Sequence, residues 1–250
     1  MKKILLFLFI INSLFAINDS QIKILKTSYN IAKQYKSIDN RTFENTICSI
    51  ILGESSAGKF IIGDSYFNGG EEKPFLLKSL GIGQVKLETV IIVIRKYPQF
   101  FNDEIKNLIN YENPFIYKKY AIYFKKIDYF QNIYYRYNRK KHKTKRDLRV
   151  IKWSKKELKY YKRKVKPYKK QYEKDIQLAQ YLLTDYSFNV KIMTIYFIHL
   201  YNTYKLKGYK DPYHIAISRY NGGLNNVKYK NKIHKKYLEW LNIKKKIYKN

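Results

Sequence analysis

The chain has 250 residues and a formal net charge of +32, from 51 Lys and Arg against 19 Asp and Glu. That length suits one ordinary domain with an excursion, or two small ones. The one cysteine, Cys48, excludes an internal disulfide, and four scattered histidines with no pair at ligand spacing argue against a metal site.

The N-terminus opens with Met1-Lys2-Lys3, continues as an apolar run from Ile4 to Phe15 and reaches Ala16. This is the layout of a secretory signal cleaved after Ala16, and the run falls well short of the roughly 20 residues needed to span a bilayer. The expected destination is export, to the periplasm. A first helix is predicted over Gln21–Tyr35, from Ile22, Leu25, Tyr29 and Ala32. A second runs from about Thr42 to Gly53, with Phe43, Ile47, Ile50 and Ile51 as its apolar positions. Gly58, Gly63, Gly69 and Gly70 mark irregular turns. A third helix, Val85 to about Tyr97, stops before Pro98.

Composition shifts over residues 101–175. Between Arg136 and Lys170 there are 18 Lys and Arg against Asp147 and Glu157, a net +16 and half of the chain's charge. Tyrosines are interleaved at 134, 135, 137, 160, 161 and 168. Ser154 and Glu157 fit a capping box and predict a helix start at Ser154, with a break at Pro167. The segment reads either as a docking arm or as a solvated helical hairpin whose lysines reflect AT-rich coding. Helices then follow over Val190–Tyr204, apolar enough to be buried, and from Asp211-Pro212 through Ser218. No strand-like alternation of useful length appears, so the fold class is mostly α.

Three short patterns carry chemistry. Glu54 follows Ile47, Ile50 and Ile51 by seven, four and three residues, on one helical face. Such a carboxyl is desolvated, which favours its protonated form and suits a general acid. Gly81-Ile82-Gly83-Gln84 permits close backbone approach and offers an amide at the head of a helix. No Gly-Lys-Ser/Thr accompanies these glycines, so a phosphate loop is excluded. Tyr220-Asn221-Gly222-Gly223 places a phenol and an amide at a forced turn. Each pattern alone also reads as an exposed helix end or an ordinary glycine turn.

Taken in order, the patterns resemble the soluble lytic transglycosylases, whose catalytic domain has a helical, goose-type-lysozyme-like fold. That family has Glu-Ser at a helix end, then Ser-x-x-Gly-x-x-Gln, then an Asn-led helix, then Ala-x-x-Tyr-Asn-x-Gly. Here Glu54-Ser55, Ser79 with Gly81–Gln84, Asn189-Val190 and Ala216 with Tyr220–Gly223 are similar, the last with one residue more. The resemblance covers about residues 40–98 and 180–230.

It implies a peptidoglycan-cleaving lyase needing no cofactor, with Glu54 as the single acid/base and a 1,6-anhydro product. It implies that Ser55, Gly83, Gln84, Tyr220 and Asn221 bind substrate, Tyr220 also holding Glu54 in position. The expected organisation is a lysozyme-like domain of residues 17–100 and 176–250 with a basic insertion at 101–175. Two features depart from the pattern: Gly83 stands where the family often has Met, and 104 residues separate Gln84 from Asn189. A lysozyme-type hydrolase remains the alternative, with Asp64, Glu71 or Glu72 as second carboxylate, as does a non-catalytic cationic binder. The partners expected are glycan strands and, through residues 136–170, an anionic wall or membrane surface, in preference to nucleic acid.

Overall fold

The computed structural model describes residues 17–109, 112–113 and 115–248. The signal read at residues 1–16 lies outside them. The elements in chain order are α1 (Asp19–Ala32), α2 (Glu44–Ser55), β1 (Ile62–Gly63), β2 (Ser79–Leu80), β3 (Val85–Lys86), α3 (Leu87–Lys96), α4 (Asp103–Leu108), α5 (Tyr117–Asn138), α6 (Lys145–Val165), α7 (Lys169–Thr184), α8 (Tyr186–Leu206), α9 (Pro212–Tyr220) and α10 (Val227–Ile247). The fold is mostly α, as the sequence predicts. The strands form one small antiparallel sheet in the order β1-β2-β3 and are too short to leave an alternating pattern.

The chain divides into two compact units. Of the described residues, one holds those up to Ile61, Gly81–Gly83 and those from Tyr186 onward; the other holds those of Ile62–Leu80 and Gln84–Asp185. Residues 62–80, 84–100 and 176–185 therefore fold with the basic segment, not with the residues expected to frame it. The reason is packing: the 3-10 turn Phe75–Leu77 lies on α5 and α7, and α3 lies on α7. Lys118 reaches Glu88 at 2.6 Å and Lys125 reaches Glu71 at 2.9 Å within the same unit.

In the first unit α2 is enclosed by α1, α8 and α10. It is buried nearly all round: Ile47, Cys48, Ile50 and Ile51 have no exposed surface, and Ser49 donates to the Asn45 carbonyl at 2.6 Å. Gly53 allows α10 this close. A Cβ there would lie 3.0 Å from Ile233 Cδ1. On α10, Trp240 is fully buried and donates to Asn45 Oδ1 at 3.0 Å. The loop after α1 is tied to α8 through Asp39, which accepts from Ser37 at 2.6 Å, Tyr201 at 2.9 Å and Lys205.

In the second unit α5 and α6 form a hairpin. Its seam is Ile127, Phe130, Leu158 and Val165 with Tyr123, Phe124, Ile133, Tyr134 and Tyr161 packed against them. Phe130 stacks on Tyr161 at 5.8 Å and meets Trp153 edge-on at 5.1 Å. The helix start expected at Ser154 is not there. Ser154 is buried in mid-helix and donates to the Ile151 carbonyl at 3.0 Å. The capping box belongs to Thr144 and Asp147, three residues apart at the head of α6. A small residue is wanted at 154 because that position faces α5. The break near Pro167 is present as the 3-10 turn Lys166–Tyr168.

Burial alone would push the Asp39 carboxyl up, but its bonds from Lys205, Ser37 and Tyr201 outweigh that and hold it well below the usual range. A carboxylate depressed in the folded state stabilises above its unfolded value near 4, and the contribution drains away as pH falls below that value. Asp39→Asn is expected to cost about 1–3 kcal/mol at pH 7 and to flatten the loss of stability between pH 5 and pH 3, read by thermal unfolding. Parallel acid limbs in the two proteins would refute this.

Candidate active site

Glu54 occupies the last turn of α2, and the chain then reverses through three left-handed residues, Ser56 (φ 51), Ala57 (φ 55) and Gly58 (φ 89). Two non-glycine residues in this region cost of order 1–3 kcal/mol each, and the bonds around the turn hold them there. Ala57 N–H reaches the Ile51 carbonyl, Phe60 N–H the Ser55 carbonyl, and the Gln21 amide the Ser56 carbonyl at 2.6 Å. Gly58 is required on two counts: its positive φ, and a Cβ that would meet Ile24 at 2.8 Å. Ser55 is part of this turn. It is fully buried, donates to the Ile51 carbonyl at 3.1 Å and accepts from Gly58 N–H at 2.9 Å. Its hydroxyl shapes the reversal and does not face a ligand, contrary to the role expected for it.

The Glu54 side chain is 12% exposed. Around it stand Tyr220 at the end of α9 and, on α10, Tyr229 and Lys232. Lys232 Nζ lies 3.5 Å from Glu54 Oε1, an ion pair too long for a hydrogen bond. Glu54 Oε1 and the Tyr229 hydroxyl are both buried without a hydrogen-bond partner. Burial first, and the Glu54 charge second, push both phenols well above the ordinary tyrosine range. Each stays a neutral donor at neutral pH. The two groups act on one another, and buried polar atoms without a well-formed hydrogen bond are uncommon in a folded core.

Gly83 links the remaining motifs of this unit. Its N–H donates to Asn189 Oδ1 at 3.0 Å, and its carbonyl accepts from the Tyr220 hydroxyl at 3.3 Å. On α8, Asn189, Met193 and Tyr196 fall at i, i+4 and i+7, a single helical face. Asn189 takes the Gly83 amide, Tyr196 packs its ring 5.8 Å from that of Tyr220, and Met193 fills the space above Gly83. A Cβ at position 83 would lie 2.0 Å from the Met193 sulfur. Position 83 is thus a glycine because a methionine from α8 already occupies the space.

Sequence reasoning therefore brought Glu54, Gly83, Asn189 and Tyr220 together, and the first unit does hold them as one cluster. Asn221 is exposed at the C-terminal end of α9. Gln84 belongs to the second unit, on the turn between β2 and β3, with a left-handed φ of 48. Its amide rests on Gly63, where a Cβ would fall 1.7 Å from Gln84 Oε1. Tyr229, Lys232, Met193 and Tyr196 were missed. The signal for Tyr229 was legible: Tyr229, Ile233 and Trp240 form an apolar stripe at i, i+4 and i+11.

The carboxylates offered as a second catalytic group are all taken in the second unit. Asp64 holds Lys73 at 2.6 Å and Lys86 at 3.2 Å, Glu71 holds Lys125 at 2.9 Å, and Glu72 holds Lys78. Burial raises Asp64, but its lysine bonds prevail and lower it; bonding to Lys125 and Lys78 lowers Glu71 and Glu72. Depressed, ion-paired carboxylates are weak bases. Among the described residues no three His, Cys, Asp or Glu are grouped to hold a metal ion, and no helix is long and apolar enough to cross a membrane.

The chain matches no family model, no curated protein and no solved structure.

Gly83→Ala is expected to destabilise the chain by about 1–3 kcal/mol through overpacking against Met193. Adding Met193→Ala should recover part of that loss. Strictly additive losses in a denaturant-unfolding cycle would show that the two do not share the space.

Proposed function

We propose that the protein is a peptidoglycan lytic transglycosylase with a lysozyme-like catalytic unit and Glu54 as its single acid/base. One observation carries the reading: the Glu54 carboxyl is buried beside two neutral phenols, with the Gly83 backbone pinned beside Tyr220 by Asn189. Gly83, Asn189 and Tyr220, far apart in sequence, meet in the unit that holds Glu54, and the family resemblance names all four.

The chemistry asks little of the protein beyond this. Glu54 gives its proton to the oxygen of the β-1,4 bond between N-acetylmuramic acid and N-acetylglucosamine as the C1–O bond breaks. The C6 hydroxyl oxygen of the same muramoyl ring then attacks C1, and its proton passes to Glu54. The acid is regenerated, no water is consumed, and the product carries a 1,6-anhydro ring. Tyr229 is suited to donate to a Glu54 oxygen or to a sugar oxygen, since its hydroxyl has no other acceptor in the fold. Lys232 balances the carboxylate when the proton is away. Hydrolysis would need a second carboxylate to activate water, and the ion pairs of Asp64, Glu71 and Glu72 speak against that alternative. The substrate places the protein outside the cytoplasm, in keeping with the signal read at residues 1–16.

Digestion of purified peptidoglycan by the chain, followed by mass spectrometry, tests the proposal. Fragments with anhydro ends, one water lighter than hydrolysed ones, are expected, and Glu54→Gln should slow their release at least about a hundredfold while leaving the circular dichroism unchanged. Reducing ends, or undiminished release by the Gln variant, would overturn it.

A further inference from the structure

We propose that the α5–α6 hairpin docks on an anionic phospholipid surface through the outer face of α6. The six positions Lys145, Arg149, Lys152, Lys156, Lys159 and Arg163 recur at spacings of 4, 3, 4, 3 and 4 and all are exposed. That is one stripe of a helix, opposite the stripe of Ile151, Ser154, Leu158 and Val165 that is buried. From first to last it spans about 27 Å, with a cation about every 5 Å. None of the six is paired with a carboxylate among the described residues. Asp147 is held in the capping box and by Lys140 at 2.7 Å, and Glu157 lies off the stripe. Like charges at these spacings repel one another. A polyanionic partner is what removes that cost.

The flanks of the stripe identify the kind of partner. On one side Trp153 is 46% and Tyr160 50% exposed, and on the other Leu148 is 54% exposed. Beside Leu148's flank is a hollow of about 460 Å³ with an apolar floor that includes Leu158, rimmed by Lys155, Lys159, Lys162 and Arg163. A rigid nucleic acid or a soluble acidic polymer would satisfy the cations, but it leaves Leu148 and the apolar hollow without a role. A bilayer surface uses both. Phosphates meet the stripe, while Trp, Tyr and Leu enter the boundary between headgroups and acyl chains. Because the apolar stripe of α6 is already spent on α5, the contact is peripheral and should weaken with salt. This inference is independent of the role proposed for Glu54.

The test uses the chain from Ile17 onward, which contains every element described, with vesicles of neutral phosphatidylcholine or of phosphatidylcholine containing one third phosphatidylglycerol. The anionic vesicles should pellet the chain and shift the Trp153 emission to the blue, a shift lost in Trp153→Phe while buried Trp240 is unchanged. Each cation strengthens such binding by about fivefold, so Lys152→Glu, Lys156→Glu and Arg163→Glu together should weaken it at least about a hundredfold. Circular dichroism checks that the exposed substitutions leave the helices intact. Equal binding to neutral vesicles, undiminished binding by the triple variant, or binding to polyphosphate or single-stranded DNA with none to vesicles would overturn the proposal.

Discussion

Burial of α2 on nearly every side is the constraint from which the candidate site follows. Between Thr46 and Leu52 every residue of the helix is buried, so its two carboxylates stand at its ends, Glu44 in the first turn and Glu54 in the last. Gly53 sets how close α10 comes, since Ile233 lies where its side chain would begin. The helix cannot simply run on past the carboxylate. Three left-handed residues turn the backbone away, and the hydroxyl of Ser55 is spent holding that turn. A desolvated carboxyl at a fixed position is therefore a product of packing, and the phenols of Tyr220 and Tyr229 are what the neighbouring helices can offer it without adding charge.

Much of this was legible in the sequence, and the reason is local. Glu54 at i+3, i+4 and i+7 from three isoleucines, two glycines before Gln84, and an asparagine opening an apolar helix are patterns that backbone geometry alone makes meaningful. What stayed hidden depends on pairs distant in the chain. Nothing near residue 83 announces that Met193 will sit above it, and nothing near residue 229 names Glu54 as its neighbour. Ser55 misled because a hydroxyl beside a candidate acid is equally suited to capping a turn. The capping box was placed one candidate too late because Ser154 and Glu157 satisfy the same spacing as Thr144 and Asp147. Only the packing of α6 on α5 decides between them, by burying Ser154.

The hairpin shows how a segment carrying half of the net charge can fold at all. Its two helices are not held by ion pairs, which at exposed sites contribute about 0–1 kcal/mol each. They are held by rings: Phe130 against Tyr161 and Trp153, and Tyr123 against Tyr161 at 6.0 Å. Interleaving tyrosine with lysine is what lets one stripe of each helix be apolar while the other repels itself. Cations also sit over the hairpin's tyrosines, as the Lys155 ammonium does over the Tyr134 ring at 5.4 Å.

The same excess of cations bears on the chemistry. In a chain with 51 Lys and Arg against 19 Asp and Glu, a carboxylate near the surface finds a lysine, as Asp39, Asp64, Glu71, Glu72 and Asp147 all do. Each such bond depresses the carboxyl and removes it as a base. Glu54 has other surroundings: it is enclosed, and its nearest paired cation is 3.5 Å away, on a lysine that is 46% exposed. Protecting one carboxylate in this way takes a buried helix, a strained turn and two phenols. Protecting two, close enough to share a bond and a water, would take twice that in a composition that works against it. In such a composition a reaction that needs one acid/base asks less of the fold than one that needs two carboxylates.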